Sequence, residues 1–514
     1  MRRLMAPLLA LLAVLATGPV SAQSAPDLTL TGVMTGADHE TYRELPFRVP
    51  KGVKRIDVAF EYDHADKTTI DLGLRDPRRF RGWSGGNKAG FFVAETQATP
   101  SYLPGPLPAG EWRLVLGVPN IREESRSAYE ARIWFDKPQA PPLAAGARWY
   151  RGDFHTHTGH SDGYCASRKG VKAPCPLLRT LEAAAARGLD FVAVTDHNTT
   201  SHFAEIAALQ PAFDDLLVIP GREVTTFQGH FNVFGAVDDI DFQLGGPRAP
   251  DIGEILDQVG KAGGLASINH PAMPSGEVCM GCGWTVENTP FQRFQAVEIA
   301  NGGALALTGN MADDPLSGVG FWEARLKDGA RLTAIGGSDN HDALASPDKP
   351  PAVGWPTTVV WAEALSTSAI LEGVRKGRVF IDLDGTRDRT LDFNASTKAA
   401  RAHPGETLRD AEGAVDLSAR VTGAKGASVR FISSNPNSQG WSGLLESDDD
   451  VVEFTELDVW GDGGGPANLT TYWVRAEVRA PDGRLLMLSN PIYVVKDLKP
   501  LIGDVAQAVD GSPY

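Results

Sequence analysis

Strand-like apolar runs alternate with helix-patterned stretches between residues 148 and 387 of this 514-residue chain. The predicted strands cover residues 149–154, 190–195, 216–219, 230–236, 264–268, 296–300 and 331–335, and the predicted helices cover 176–187, 202–209, 251–262 and 321–327. Seven strands with intervening helices predict a (β/α) barrel or an open α/β sheet. In both architectures, ligands bind beyond the carboxyl ends of the strands.

Both flanks of this region have the patterning of antiparallel β structure. Short alternating runs such as 55–62, separated by Gly- and Pro-rich turns, predict an N-terminal β-sandwich over residues 27–140. The segment 138–147 is rich in Pro and Ala and reads as a linker. Strict alternation returns at 472–478 and predicts a C-terminal β-sandwich over residues 390–496.

The amino terminus has the features of a signal peptide over residues 1–22. Arg2 and Arg3 precede a 13-residue apolar stretch, and Val20-Ser21-Ala22 is a small-residue cleavage site. This stretch is too short to cross ~30 Å of hydrocarbon, which disfavours the alternative of a membrane anchor. We therefore expect a periplasmic or secreted protein without membrane insertion.

The net charge limits the partners. Removal of Arg2 and Arg3 with the signal peptide changes the formal charge from -15 to -17. Binding to long nucleic acids depends on clustered Lys and Arg, so this balance argues against a nonspecific nucleic-acid binder. A small anionic substrate remains compatible with it.

Histidines mark the ends of the predicted strands. Eight of the eleven lie between residues 155 and 341, and His155 and His157, two apart on an extended strand, face the same side. The candidate metal ligands are His155, His157, Asp162, His197, Glu223, His230, His270, Asp339 and His341. Such a set of nitrogen and oxygen donors suits zinc, manganese or iron.

At these positions the sequence resembles the polymerase-and-histidinol-phosphatase (PHP) superfamily of metal-dependent phosphoesterases. The motifs, in family order over residues 148–345, are His155-x-His157-x4-Asp162-Gly163, Thr195-Asp196-His197-Asn198, Glu223, His270-Pro271 and Asp339-x-His341. The resemblance implies a distorted (β/α)7 barrel between the two β modules. The signal peptide, these modules and the elements Gly229-His230-Phe231-Asn232 and Ser489-Asn490-Pro491 look more like the exported branch that includes carbaryl-type ester and carbamate hydrolases.

The resemblance also implies a cofactor of two or three divalent ions. The first ion would take His155, His157, Glu223 and Asp339, and Glu223 would bridge to a second ion on His230 and His270. Asp162, His197 and His341 would hold the third. Some relatives have His in place of Asp162. A carboxylate at this position would bind the third ion more loosely, so a two-ion centre is the alternative.

Clustered dications lower the pKa of bound water from about 15.7 towards about 7, which predicts attack on the ester by a metal-bridging hydroxide. Two further residues are catalytic candidates. His160 either donates to the substrate or leaving group or is an exposed loop histidine. Asp196 either orients a ligand histidine or satisfies backbone donors at the end of its strand.

Two loops are candidate walls of a substrate pocket. Arg168, Lys169 and Lys172 follow Asp162 and would favour a phosphate if their loop overhangs the ions; otherwise they belong to a solvated loop. Trp284, in the segment after His270, either stacks on an aromatic leaving group or packs locally.

The four cysteines, Cys165, Cys175, Cys279 and Cys282, favour structural disulfides in an exported protein. Local pairing joins Cys165 to Cys175 and Cys279 to Cys282, and crossed pairing is the alternative. A zinc or redox role for the CxxC is disfavoured, because no second CxxC and no thioredoxin-like context accompany it.

Three functions are therefore considered. The first is a phosphoesterase acting on small phosphomono- or phosphodiesters. The second uses the same cluster on carboxylic or carbamic esters, and the third is a metal- or glycan-binding protein without catalysis. An ordered and complete ligand set argues against the third.

Overall fold

The structure of the protein is a computed structural model. This structure describes residues 25–137, 141–277, 279–311, 313–410, 414–434, 440–457 and 471–496, and the predicted signal peptide lies outside these ranges. The chain divides into two compact units, Met1–Glu95 with Ser101–Gln139 and Thr96–Pro100 with Ala140–Tyr514. Within the described ranges, we find no helix with the length and apolar character needed to cross a membrane.

The first unit consists of two four-stranded antiparallel sheets. Its strands are β1 (Leu28–Thr35), β2 (Tyr42–Val49), β3 (Arg55–Tyr62), β4 (Thr69–Arg75), β5 (Phe80–Trp83), β6 (Gly90–Ala94), β7 (Gly110–Asn120) and β8 (Arg126–Phe135). The sheet orders are β1-β8-β3-β6 and β2-β7-β4-β5. Alternate residues of β3, Ile56, Val58 and Phe60, are buried, as expected for strands with one face in a core.

The second unit begins with the α/β region. Its elements are β9 (Ala144–Asp153), β10 (Tyr164–Ala166), β11 (Lys172–Pro174), α1 (Leu177–Arg187), β12 (Phe191–Val194), α2 (Phe203–Leu209), β13 (Leu217–Thr226), β14 (Gly229–Phe234), α3 (Ile252–Lys261), β15 (Leu265–Ile268), β16 (Ala296–Asn301), α4 (Gly302–Leu307), α5 (Val319–Lys327), β17 (Thr333–Gly337), β18 (Thr357–Leu365), α6 (Thr367–Arg375) and β19 (Val379–Asp382). Each of the seven predicted strands is present, and the mixed α/β architecture is confirmed. These seven strands are neighbours in one sheet in their sequence order, β17-β16-β15-β14-β13-β12-β9.

The direction of β14 explains how His230 joins the other candidates. β14 runs antiparallel to both β13 and β15, whereas β9, β12 and β13 are mutually parallel, as are β15, β16 and β17. A reversed strand begins where its neighbours end. His230, the second residue of β14, therefore lies at the same edge as the carboxyl ends of the parallel strands.

The predicted (β/α)7 barrel is not found as a closed structure among the described strands. β9 and β17 share no ladder, and the segments that follow them meet in a single bridge between Thr156 and Asn340. Asn490 instead pairs with the open edge of β17, accepting from the Ala334 amide at 2.7 Å and donating to its carbonyl at 2.9 Å. The Thr358 hydroxyl likewise accepts from the Gly336 amide at 2.8 Å and donates to the Gly336 carbonyl at 2.7 Å. These side chains satisfy the backbone groups that a closing ladder would use.

The C-terminal strands continue this sheet and add a second one. They are β20 (Thr390–Ser396), β21 (Arg401–Ala402), β22 (Thr407–Asp410), β23 (Val415–Thr422), β24 (Ser428–Ser433), β25 (Trp441–Leu444), β26 (Asp449–Leu457), β27 (Thr471–Arg479), β28 (Leu485–Ser489) and β29 (Ile492–Lys496). The large sheet runs on from β9 through β18, β19, β28, β27, β24 and β25, while β21, β20, β23 and β26 form the second sheet. Phe393 and Leu417 of the second sheet share a core with Phe431 and Phe380 of the large sheet.

Candidate metal centre

All nine predicted ligand residues lie at the carboxyl edge of the parallel strands, in overlapping groups whose donor atoms are within 4.8 Å of one another. The central group combines two sets, His155, Glu223 and His270, and His155, His157 and Asp339. The outer group contains His157, Asp162, His197 and His341. A third group, here the disulfide-side group, brings His230 and His270 next to Cys282. Each of these groups could hold a metal ion.

Glu223 lies at the middle of the cluster. Its two oxygens are 2.9–3.5 Å from imidazole nitrogens of five histidines, namely His155, His157 and His197 at Oε2 and His230 and His270 at Oε1. Tetrahedral bonds of about 2.0–2.2 Å place two ligands of one ion about 3.3–3.6 Å apart, which is the range of the Glu223 distances to His155, His157, His230 and His270. The spacing around Glu223 therefore fits a carboxylate that faces one ion with each oxygen.

Several donor atoms in the cluster are buried without a hydrogen bond among the described residues. They include Nε2 of His155, Oε2 of Glu223 and Nδ1 of His230. A buried polar atom without a partner costs about 1–3 kcal/mol. Divalent cations between these atoms would satisfy them together, so the residues present fit a metal centre.

The other ring nitrogen of three histidines is held by a neighbour. Nδ1 of His155 donates to Glu298 Oε1 at 3.1 Å, and Nε2 of His230 donates to the Met280 carbonyl at 3.2 Å. Nδ1 of His341 donates to the Asp339 carbonyl at 2.8 Å. In the neutral ring, each bond selects the tautomer whose second nitrogen is free to bind a metal and faces the cluster.

Two contributors to the site were missed from the sequence. Glu298 on β16 is buried, bonds to His155 and accepts from the backbone amide of His270 at 2.9 Å. Asn269 donates to Glu223 Oε1 at 2.8 Å. A signal for Glu298 was present, because it is the one charged residue in the strand Ala296–Asn301, whose residues are all buried.

Two of the predicted ligand residues have unusual backbone conformations. His270 has φ 25° and Asp339 has φ 52°, values that side chains other than glycine rarely adopt. Such conformations cost about 1–3 kcal/mol each and concentrate at functional sites. Backbone strain is thus present at two of the nine predicted ligand positions.

Carboxylates control the protonation of the central histidine. Burial opposes protonation of His155, but the charges of Asp339, Glu298 and Glu223 outweigh it and raise its pKa well above the usual value. Burial likewise opposes ionisation of Glu223, yet His155 and His197 hold its pKa well below the usual value. In the metal-free centre these interactions favour the imidazolium form of His155 and the carboxylate form of Glu223.

Two histidines of the outer group have pKa values shifted in opposite directions. Burial and the charges of His341 and His197 lower the pKa of His157 to about 4. For His341 burial acts in the same direction, but the hydrogen bond to Asp162 and the charge of Asp339 raise its pKa to about 9. A metal ion that binds His341 near neutral pH must therefore displace a proton.

Asp196 supports the turn that carries Asp162. Its carboxylate accepts from the Thr158 amide and hydroxyl, each at 2.8 Å, and from the Ser161 hydroxyl at 2.6 Å. None of its described hydrogen bonds involves a ligand histidine. These contacts correspond to the predicted alternative in which Asp196 satisfies backbone donors at its strand end.

His160 lies outside the three groups. Its Nδ1 is 2.8 Å from the Ser201 hydroxyl, and its Nε2 is 2.8 Å from Glu205 Oε2. The ring is half-buried, and Glu205, on α2, fixes its orientation. A role as proton donor remains a prediction.

Both predicted local disulfides, Cys165–Cys175 and Cys279–Cys282, are present. The first closes the β10–β11 hairpin, whose Tyr164 amide donates to the His341 carbonyl at 2.7 Å. This bond ties the base of the hairpin to the outer group.

The predicted substrate residues have different surroundings. Arg168 and Lys169 are exposed at the turn of the hairpin, whereas the Lys172 ammonium lies 3.7 Å from the centre of the Tyr164 ring. Trp284 donates to the Thr289 hydroxyl at 2.9 Å and packs edge-on against Phe294. The contacts of Trp284 are those of local packing.

No family model matches this sequence. Over 134 residues the chain is 29% identical to an uncharacterized protein of Methanocaldococcus jannaschii, a match that covers 26% of this chain and 72% of that protein. Among solved structures, it is similar, with a TM-score of 0.36 and 18% identity, to a two-domain protein from Bacteroides vulgatus that contains a predicted PHP-like metal-dependent phosphoesterase. That match covers 69% of this chain and 97% of the other.

Proposed function

We propose that the chain is an exported hydrolase of the PHP superfamily that uses two or three divalent ions to cleave small phosphomono- or phosphodiesters. One observation carries the proposal: Glu223 is buried among five histidines, with each oxygen facing a different subset of them. A carboxylate placed between two ion positions supports a multinuclear centre. The nine sequence-predicted ligands are assigned to these ions.

When bound, zinc, manganese or iron would supply Lewis acidity and an activated water at neutral pH. The chain itself supplies orientation. Glu298 and the Met280 carbonyl hold the rings of His155 and His230, and Asp196 holds the turn that carries Asp162. Arg168 and Lys169 provide positive charge on the adjacent hairpin for an anionic ester.

A carboxylic or carbamic ester is the second candidate, and exposed apolar side chains favour it. Phe227, in the β13–β14 turn, is 97% exposed, and Met280 is 76% exposed. A Cβ on Gly281 would lie 3.3 Å from the Phe227 Cα and 3.0 Å from His230 Nε2, so this turn borders the ligand His230. An apolar leaving group would contact these side chains.

Metal analysis followed by assays on p-nitrophenyl phosphate, bis-p-nitrophenyl phosphate and p-nitrophenyl acetate tests the proposal. The full chain should contain two or three ions and hydrolyse a phosphate ester, and His155→Ala should lose that activity. Faster turnover of the acetate would favour the second candidate. A metal-loaded protein without activity on any of the three, indistinguishable from His155→Ala, would contradict the hydrolase.

A further inference from the structure

We infer that Cys282, once freed from its disulfide, is a thiolate ligand of the metal centre, so that the Cys279–Cys282 pair controls access to the ion held by His230 and His270. This inference rests on the proposed function and assigns to the CxxC a metal and redox role that its sequence context disfavoured, because Cys282 lies beside two of the predicted ligand histidines. It starts from the disulfide-side group, in which the Cys282 sulfur lies within 4.8 Å of donor atoms of His230 and His270.

The surroundings of Cys282 are those of a ligand position. Its side chain is 1% exposed, and it lies beside two buried histidines. Zinc–sulfur and zinc–nitrogen bonds of about 2.3 and 2.1 Å require a separation of about 3.6 Å between the two donors. Once the disulfide is cleaved, rotation about the Cα–Cβ bond of Cys282 can bring its sulfur to this separation from the histidine donor atoms.

The turn that carries the cysteines is held by bonds that do not involve the disulfide. The Gly281 amide donates to the Ser275 hydroxyl at 2.9 Å, and the Gly276 amide donates to the Cys279 carbonyl at 3.0 Å. The Met280 carbonyl accepts from His230. Cleavage of the disulfide therefore leaves the backbone of residues 279–282 against the metal ligands.

Gly281 shows how closely this turn approaches the site. Its φ is +84°, and a Cβ there would lie 2.2 Å from the Thr226 carbonyl oxygen. No side chain fits at this position, so the backbone between the two cysteines lies directly on the end of β13. The next residue, Cys282, is thereby directed towards His230 and His270.

Release of Cys282 requires reduction of the Cys279–Cys282 disulfide. A dithiol reductant transfers two electrons and two protons to the disulfide, becomes a disulfide itself and leaves two thiols on the chain. Cys282 then releases its proton to solvent when its sulfur binds the ion.

The thiolate changes what the ion can do. A catalytic ion keeps an open position for water or substrate, whereas a closed set of protein ligands is typical of a structural ion. The reduced protein would hold its metal in a closed, inactive form. A disulfide oxidant that accepts two electrons and two protons from Cys279 and Cys282, and becomes a dithiol, would re-form the disulfide, remove the sulfur from the ion and open the position.

Cobalt binding to the full chain tests this inference, with Cys279→Ser and Cys282→Ser as matched variants. Each variant lacks the disulfide, but only Cys279→Ser retains the sulfur that faces the histidines. We expect Cys279→Ser loaded with Co²⁺ to show thiolate-to-cobalt charge-transfer absorption, and Cys282→Ser to lack it. Alkylation of the free thiol by iodoacetamide should slow about tenfold or more with Co²⁺ in Cys279→Ser only.

A second measurement covers the case in which Cys279→Ser fails to fold. Wild type treated with a phosphine reductant should gain the same absorption, whereas Cys282→Ser treated identically should not. Cobalt binding by Cys279→Ser and by reduced wild type without the sulfur absorption would overturn the inference and leave the metal centre intact. Failure of oxidised wild type to bind Co²⁺ would instead remove the proposed metal centre, and the inference with it.

Discussion

Nδ1 of His155 donates a hydrogen bond to Oε1 of Glu298 at 3.1 Å, and both side chains are buried. The bond fixes the ring so that Nε2 faces Glu223 and Asp339, at 3.4 and 3.3 Å. Glu298 also accepts from the His270 amide. One carboxylate thus positions two members of the central group, and it does so from a strand that contributes no ligand of its own.

Glu298→Gln should therefore weaken metal binding without removing a ligand. Loss of a carboxylate that orients a ligand histidine reduces metal affinity by about 10–100-fold. Competition with a chromogenic chelator measures this affinity directly. Glu477→Gln is the matched control, because Glu477 is also buried on a strand but pairs with Arg475 and Arg479. Equal affinities of the two variants would contradict a positioning role for Glu298.

The outer group should release its ion first. The Asp162 side chain is 59% exposed, whereas that of Glu223 is 1% exposed. Water competes more effectively for an ion held by an exposed ligand, so graded dialysis against a chelator should remove one ion before the others.

Asp162→Ala should lower the metal content by that same ion and leave the rest. Plasma emission spectroscopy on dialysed protein gives the ratio of metal to chain. Glu223→Ala is the comparison variant. It should lose both of the ions proposed to bind the Glu223 carboxylate. Simultaneous loss of all ions from Asp162→Ala would show that the outer and central groups bind as one unit.

Asn490→Ala should destabilise the second unit substantially. The Asn490 side chain makes hydrogen bonds to Ala334 and also donates to the Val379 carbonyl at 3.1 Å. Its removal leaves the buried amide and carbonyl of Ala334 without partners, at about 1–3 kcal/mol each, so a total loss of roughly 2–6 kcal/mol is expected. Urea-induced unfolding provides the measurement.

Asn120→Ala is a suitable comparison, because the exposed Asn120 amide donates a single bond to the Lys67 carbonyl. We expect that variant to lose less than about 1 kcal/mol. An Asn490→Ala protein as stable as wild type would show that solvent replaces the side chain at the edge of β17.

Strand positions in the α/β region could be predicted because buried parallel strands are nearly continuous apolar runs. The convergence of the nine candidate ligand residues could be predicted because strand ends of a parallel sheet meet at one edge. The open edge of β17 could not be predicted, since it depends on hydrogen bonds between Asn490 and Ala334, which are 156 residues apart in the sequence. Glu298 was missed for a related reason: a carboxylate inside a strand reveals its partner only when the strands are assembled.

The pH dependence of stability should differ between the metal-free and metal-loaded protein. The hydrogen bond to Asp162 and the charge of Asp339 outweigh burial and raise the pKa of His341 to about 9, above the value of about 6.5 for an unfolded histidine. A group with a raised pKa in the folded state stabilises the protein fully below its unfolded pKa and loses that contribution as the pH rises through the folded value. His155 has a pKa shifted in the same direction. The free energy of unfolding of the metal-free protein should therefore fall between about pH 6.5 and 9.

Bound metal should remove this decline, because the imidazoles then carry ions in place of protons. Urea unfolding at several pH values, with and without chelator, tests both halves of the prediction. Calorimetry of metal binding near pH 7 in buffers of different ionisation enthalpy should also show proton release, which His341→Asn should reduce. A metal-free protein whose stability stays constant from pH 6.5 to 9, with no protons released on metal binding, would mean that these histidines are already neutral before the metal arrives.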